Sequence, residues 1–158
     1  MNIFILDDDF ETCAEYHCDK HVVKMVIEYA QMLSTAVRMT TDIDIGYRIT
    51  HKNHPCTVWV RESLSNWKWL RELSKQLNNE YRHRYNHDVN HKSYDMILSL
   101  PLPNIPDVGL TKFPQAMPEY CKDENTIVAY RNYYNKEKQQ IHSWKHGRIP
   151  NWIELQTI

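Results

Sequence analysis

Apolar residues recur three and four apart along most of this chain, the spacing of an amphipathic helix. Ile3, Phe4, Ile5 and Leu6 are the first exception, a run too short for a helix that reads as a small strand or a buried arm. Asp7, Asp8 and Asp9 offer N-caps for a first helical turn through Phe10 and Tyr16. Residues 19–39 lack Gly and Pro and predict a long helix, and residues 40–54, with Gly46 and a run of Thr and Asp, predict a loop. Pro55 suits a first helical turn, and Val60, Leu64, Trp67, Leu70, Leu73, Leu77 and Tyr81 then predict one long helix to Tyr85, or two joined near Ser63. A shorter helix is expected over 93–98. Five prolines between Pro101 and Pro118 require an extended surface segment. A last helix is predicted over 124–144, followed by a tail that folds back on Trp144 and Trp152. The fold class is mainly α: one compact domain over 1–158, a bundle of about four to five helices with a short extended N-terminal segment and a Pro-rich surface loop.

The long helix after residue 17 carries an unusual distribution. With 100° per residue, and His17 at zero on a continuous helix, His21, Lys20, Lys24, Glu28, Gln31, Thr35 and Arg38 all fall within about 60° of it. Between Val22 and Val37 the rest of the wheel is Val, Met, Ile, Tyr, Ala, Leu and one Ser. A polar sector this narrow, flanked by core-type residues, predicts an enclosed helix whose stripe faces a cleft; the plain alternatives are the wet edge of a central helix or a structural hydrogen-bond network.

Three chemistries fit the stripe. Lys20 and Lys24 stand one turn apart, and like charge favours a neutral, nucleophilic amine, with Glu28 placed to pair or shuttle a proton. His17 and His21 suit acid–base work or phosphate contact. The same pair at i, i+4 has a metal-ligand spacing, with Cys13, His51, His54 or Cys56 as further ligands. Against the metal, two lysines flank the pair and Cys18 stands where the metalloprotease motif has its glutamate. No metal and no cofactor are expected.

Elsewhere, His54 sits at the N-cap of the helix opened by Pro55, where capping competes with anion contact. Asn66, beside Trp67 and Trp69, offers a polar group to a ligand. Arg131, Lys138 and Lys145 recur every seven residues with Tyr134 alongside, a pattern suited to phosphate contacts with aromatic interleaving or to a solvated helix face.

Composition limits these readings more than it extends them. The chain is 42% apolar with a net charge of −1, so nothing global draws it to nucleic acid or membrane. Any polyanion site must be a local patch: residues 1–19 hold six acids and no Lys or Arg, whereas Arg131, Lys136, Lys138, Lys145 and Arg148 face only Glu137. The four cysteines form no C-x-x-C pair, and no signal peptide or membrane span is evident, so a cytoplasmic location with reduced thiols is expected.

Two groups of residues carry a resemblance. One is the opening Met-Asn-Ile-Phe-Ile-Leu-Asp with His17-Cys18-Asp19-Lys20-His21-Val22-Val23-Lys24-Met25; the other is Ala116-Met117-Pro118, Tyr130-Arg131-Asn132-Tyr133-Tyr134, Trp144-Lys145 and Pro150-x-Trp152. Over nearly its whole length the chain resembles a family of small phage-encoded proteins, which implies the cytoplasm of a host. In its order of elements, with a His-Pro helix start and Glu80-x-x-x-Arg84-Tyr85 at a helix end, it resembles the pyrimidine-dimer DNA glycosylases. That resemblance implies an all-helical enzyme whose attacking amine is exposed by removal of Met1, beside a glutamate on the first helix. Asn2 is too bulky to favour that removal, and alignment from His17 puts Lys24 at the place of the glutamate. The expectation is then a phage enzyme acting on a nucleic-acid base or nucleotide, cleaving a glycosidic bond through Lys24 or Lys20. Glu28, His21 and His17 would manage protons, and Arg131, Lys138 and His54 would hold phosphate. The alternative is a non-catalytic protein that binds a nucleotide or a host protein.

Overall fold

The computed structural model describes residues 1–146 and 148–155. They form six helices: α1 (Phe10–Tyr16), α2 (Asp19–Thr40), α3 (Pro55–Val60), α4 (Leu64–Arg84), α5 (Lys92–Ser99) and α6 (Thr126–Glu137), with single-turn helices at Glu119–Cys121 and Gln139–Ile141. The fold is an all-α bundle, with no strand among the described residues. α2 packs against α3, α4 and α5, and α1 lies on α4. Twelve of its 22 residues are buried, as expected for a helix enclosed by neighbours. No helix among the described residues is long and apolar enough to cross a membrane.

The apolar run at residues 3–6 is a buried arm rather than a strand. Buried backbone needs partners, and side chains supply them here. The Phe4 amide donates to Tyr29 Oη at 3.1 Å, the Leu6 amide to Cys13 Sγ at 3.4 Å, and Cys13 Sγ returns a bond to the Phe4 carbonyl. Arg131 Nε closes the arm from α6 by donating to the Leu6 carbonyl at 2.9 Å.

Local chemistry sets the helix limits. Asp9 caps α1 by accepting from the Thr12 amide. His17 leaves helical geometry (φ −61°, ψ 130°), so α1 and α2 are separate helices and His17 is not on the α2 wheel. Ser63, extended at φ −153°, likewise divides α3 from α4, the second of the two arrangements expected there. The proline segment is fastened at this junction: the Leu64 amide donates to the Pro106 carbonyl, and Ser63 and Ser65 donate to Asp107. Gly46 (φ +78°) is required at its turn, because a Cβ there would lie 2.5 Å from Ser34 Oγ.

The last helix is shorter than its sequence predicts. α6 ends at Glu137, where the His142 ring donates to the Tyr134 carbonyl and Gln139 to the Asn135 carbonyl. The following chain is drawn away by Asp19, whose carboxylate accepts from Ser143 Oγ and the Lys145 amide. Arg131, Lys138 and Lys145 therefore do not form one helical row. The tail does fold back on its indoles: Trp144 donates to the Tyr16 carbonyl, and Trp152 packs edge-on against Tyr16.

One buried cation joins these parts. Arg84 donates from Nε and Nη2 to Glu80 Oε1 at 2.9 and 2.8 Å, and from Nη1 and Nη2 to the His17 and Glu15 carbonyls at 2.7 and 3.0 Å. Its guanidinium thus fills the carbonyl ends left open where α1 stops.

Candidate active site

The arm delivers the chain's first residue to the outer edge of α2. The α-amine of Met1 lies 3.0 Å from Glu28 Oε1, and Lys24 Nζ lies 3.8 Å from Oε2 of the same carboxylate. The Met1 side chain is 3% exposed and Glu28 13%, whereas Lys24 is 60% exposed. One carboxylate is therefore shared by the α-amine of a residue with a buried side chain and by an exposed lysine.

Asn2 fixes the geometry. Its Oδ1 accepts from the Ile3 amide and from Tyr130 Oη, both at 2.8 Å, and its Nδ2 donates to the Ala116 carbonyl at 2.9 Å. Cys56 Sγ approaches the same oxygen at 3.5 Å. Position 2 is thus clamped by α3, α6 and the segment before α6. Burial, the largest cause, pushes the Cys56 thiol up to about 11, so it stays protonated.

The predicted stripe separates into two groups. Lys20, Lys24 and Glu28 remain on the accessible face, joined by the half-exposed Val23 and Ile27. His21 turns inward, its ring stacked on Phe4 at 4.3 Å and its Nδ1 2.6 Å from Tyr134 Oη. Tyr134 Oη also accepts from the Cys18 amide at 3.2 Å, which ties His21 to the junction of α1 and α2. Burial, then His17, Lys138, Lys24 and Lys20, pull His21 down to about 2. These lysines are therefore close enough to act on one ring. Lys138 itself lies over the Tyr133 ring at 4.9 Å, and Tyr133 stacks on Phe4. The face around Glu28 is cationic although the chain is not.

His17 belongs to the core. Its Nδ1 donates to the Cys13 carbonyl at 2.7 Å and its Nε2 accepts from Tyr29 Oη at 2.9 Å. With both nitrogens engaged it has none left for a metal, and among the described residues no three His, Cys, Asp or Glu side chains come together as ligands. Burial lowers His17 to about 4 from an ordinary 6.5. A depressed histidine contributes stability that is complete above pH 6.5 and is lost as pH falls towards 4, about 3 kcal/mol over that window. Urea melts should therefore weaken steadily below pH 6.5; stability flat from pH 7 to 4.5 would contradict a neutral His17 in the core.

Other predicted positions lie apart from Glu28. Asn66 is buried, its amide donating to the Trp59 carbonyl and Thr111 Oγ1 and accepting from the Thr111 amide. Arg131 is held by the Leu6 carbonyl and Asp7, between Tyr16 and Trp152. Tyr134 is core, and Lys145 is placed by its backbone at Asp19. His54 stands two residues before Cys56, whose Sγ touches the arm at Asn2. It caps α3 through Nδ1, which accepts from the Cys56 amide at 3.1 Å, and the Met1 amine, His51 and Glu28 all act on its charge. Alignment from His17 points to Lys24; the carboxylate that meets the Met1 amine is Glu28, four residues further on. Asn2, Tyr130 and Ala116, which set that amine in place, carry no periodic or charge signal that would have singled them out.

An all-helical chain with an amine and a carboxylate at the end of a buried arm defines a narrow class. Residues 1–93 match the family model for pyrimidine dimer DNA glycosylase, 93 of 158 residues, and the chain belongs to that family. No curated protein and no solved structure matches it. The matched segment includes Met1, Lys24, Glu28 and His54, but not Tyr130, Tyr133 or Lys138.

Proposed function

We propose that this protein is a DNA glycosylase that excises a damaged base through an amine held on Glu28. The observation that carries the reading is the 3.0 Å pair between the Met1 amine and Glu28 in a chain of this family. The Met1 amine is the nucleophile. As a class, α-amines are weaker bases than lysine amines, so more of the free base is present near neutrality.

In this reading the amine lone pair bonds to C1′ of the damaged nucleotide. The glycosidic bond breaks, and its electron pair leaves with the base, which takes a proton. The C1′–O4′ bond then opens, O4′ is protonated, and the nitrogen forms an iminium with C1′. Glu28 accepts the proton shed by the attacking amine, and its carboxylate balances the iminium charge. Loss of a C2′ proton with departure of the 3′ phosphate would complete a lyase step. Lys20, Lys24 and Lys138 supply local positive charge for backbone phosphates, answering the net charge of −1. Lys24 is the second candidate nucleophile, favoured by its own 3.8 Å approach to Glu28.

The test is borohydride trapping with duplexes that contain a pyrimidine dimer or an abasic site. Hydride reduces the iminium to a stable secondary amine, and peptide mapping locates it. A covalent adduct on residue 1 is expected, and one on Lys24 would transfer the role to that residue. No adduct with either duplex sinks the glycosylase reading.

A further inference from the structure

The turn leading into α3 holds the ring of His54 in a fixed chemical state at the end of α3 that touches the arm, where Cys56 Sγ lies 3.5 Å from Asn2 Oδ1. His51 stands at φ +46°, a left-handed conformation rarely adopted by a residue other than glycine, and its carbonyl accepts from the His54 amide at 2.9 Å. Arg61 pins the same turn from beyond α3, donating to the Lys52 carbonyl at 2.6 Å and to the Thr57 carbonyl at 3.3 Å. His54 therefore enters α3 from a braced turn.

The His54 ring does two things. Its Nδ1 accepts from the Cys56 amide, so that nitrogen carries no proton and the neutral ring must carry its proton on Nε2. Nε2 has no partner among the described residues. Burial, then the positive charge of the Met1 amine and His51, holds His54 below its ordinary value, with Glu28 opposing. Protonating Nδ1 would also remove the helix cap.

From this geometry, and resting on the glycosylase reading, we infer that His54 is a positioning residue whose Nε2–H, locked in one tautomer by the α3 cap, donates to an oxygen of the nucleotide whose C1′ faces the Met1 amine. The acceptor is a sugar or phosphate oxygen of that nucleotide. A neutral imidazole N–H is too weak an acid to deliver a proton, so the ring orients the substrate.

His54→Asn separates the two duties, because asparagine caps helices well but has no ring N–H to offer at that reach. The first readout is binding of the full chain to a duplex bearing a tetrahydrofuran abasic analogue, which cannot react. His54→Asn is expected to melt within a few degrees of wild type and to bind about five- to tenfold more weakly, the effect of one lost hydrogen bond. A tetrahydrofuran site flanked by methylphosphonates distinguishes the acceptors: if the deficit disappears the acceptor is phosphate, and if it persists the acceptor is the sugar. Nitrogen-15 spectra of the histidine rings should show His54 with its proton on Nε2. Wild-type binding by His54→Asn, or a proton on Nδ1, overturns the inference. Failure of wild type to trap would overturn the glycosylase reading alone, since neither binding nor tautomer depends on turnover.

Discussion

Glu28→Gln is expected to lower the rate of borohydride-trapped adduct formation by about a hundredfold or more while leaving a folded protein. Glutamine keeps the shape of the side chain and can still accept a hydrogen bond from the Met1 amine, which lies 3.0 Å from Oε1. It cannot take a proton from an attacking amine, and it offers no negative charge to an iminium. Stability should fall by only about 1–2 kcal/mol, because glutamine keeps a hydrogen bond to the amine while the charge pair is lost, and the other cation, Lys24, is well exposed. Single-turnover trapping with an abasic-site duplex, with melts of the same samples, checks both halves. A Glu28→Gln protein that traps at wild-type rate would remove the carboxylate from the reaction.

The second large effect is structural. Arg84→Leu should destabilise the protein by about 3–5 kcal/mol, because it strands two carboxylates, Glu80 and Asp19 (3.3 Å from Nη1), and two carbonyls that the guanidinium now satisfies. For a chain of this size that is a fall of roughly 10–15 °C in Tm. Glu80 is 12% exposed and accepts two of the Arg84 bonds, whereas Asp19 keeps its bonds from Ser143 and the Lys145 amide, so Glu80 is the carboxylate left with the less compensated charge. Replacing both residues with leucine should therefore recover part of the loss, and the double variant is expected to melt above Arg84→Leu. Equal melting of the two would show that the bonds to the Glu15 and His17 carbonyls and to Asp19 carry the whole effect.

The helices were largely legible because their signals are local. The Gly- and Pro-free run gave α2, and Pro55 with a spacing of three and four gave α3 and α4. Their limits were less so: Ser63 and His17 break helices by turning extended, and α6 stops because Asp19 captures Ser143 and Lys145 from more than a hundred residues away. Within the site, the helix spacing alone pairs Lys24 with Glu28, which stand 3.8 Å apart. The wheel was misread at its origin, since it assumed a continuous helix through His17, and so it enrolled a core histidine. The amine at the head of the arm was set aside because bulky Asn2 argued against processing. What could not be read is that Asn2 itself is the clamp, for its partners Ala116 and Tyr130 are brought to it only by the closed fold.

That clamp has a consequence for how the protein is made. The bonds that seat the Met1 amine join residue 2 to residues 116 and 130, among the most distant pairings in the chain. Contacts of such high sequence separation form late, after the closure entropy of the intervening chain has been met. The amine and Glu28, only 27 positions apart, are therefore expected to reach working geometry after α6 has been synthesised and docked. A ribosome-bound chain that ends before Tyr130 would carry the reactive groups without the arrangement that makes them a pair. Late assembly of this kind keeps the Met1 amine and Glu28 apart until the whole bundle has closed.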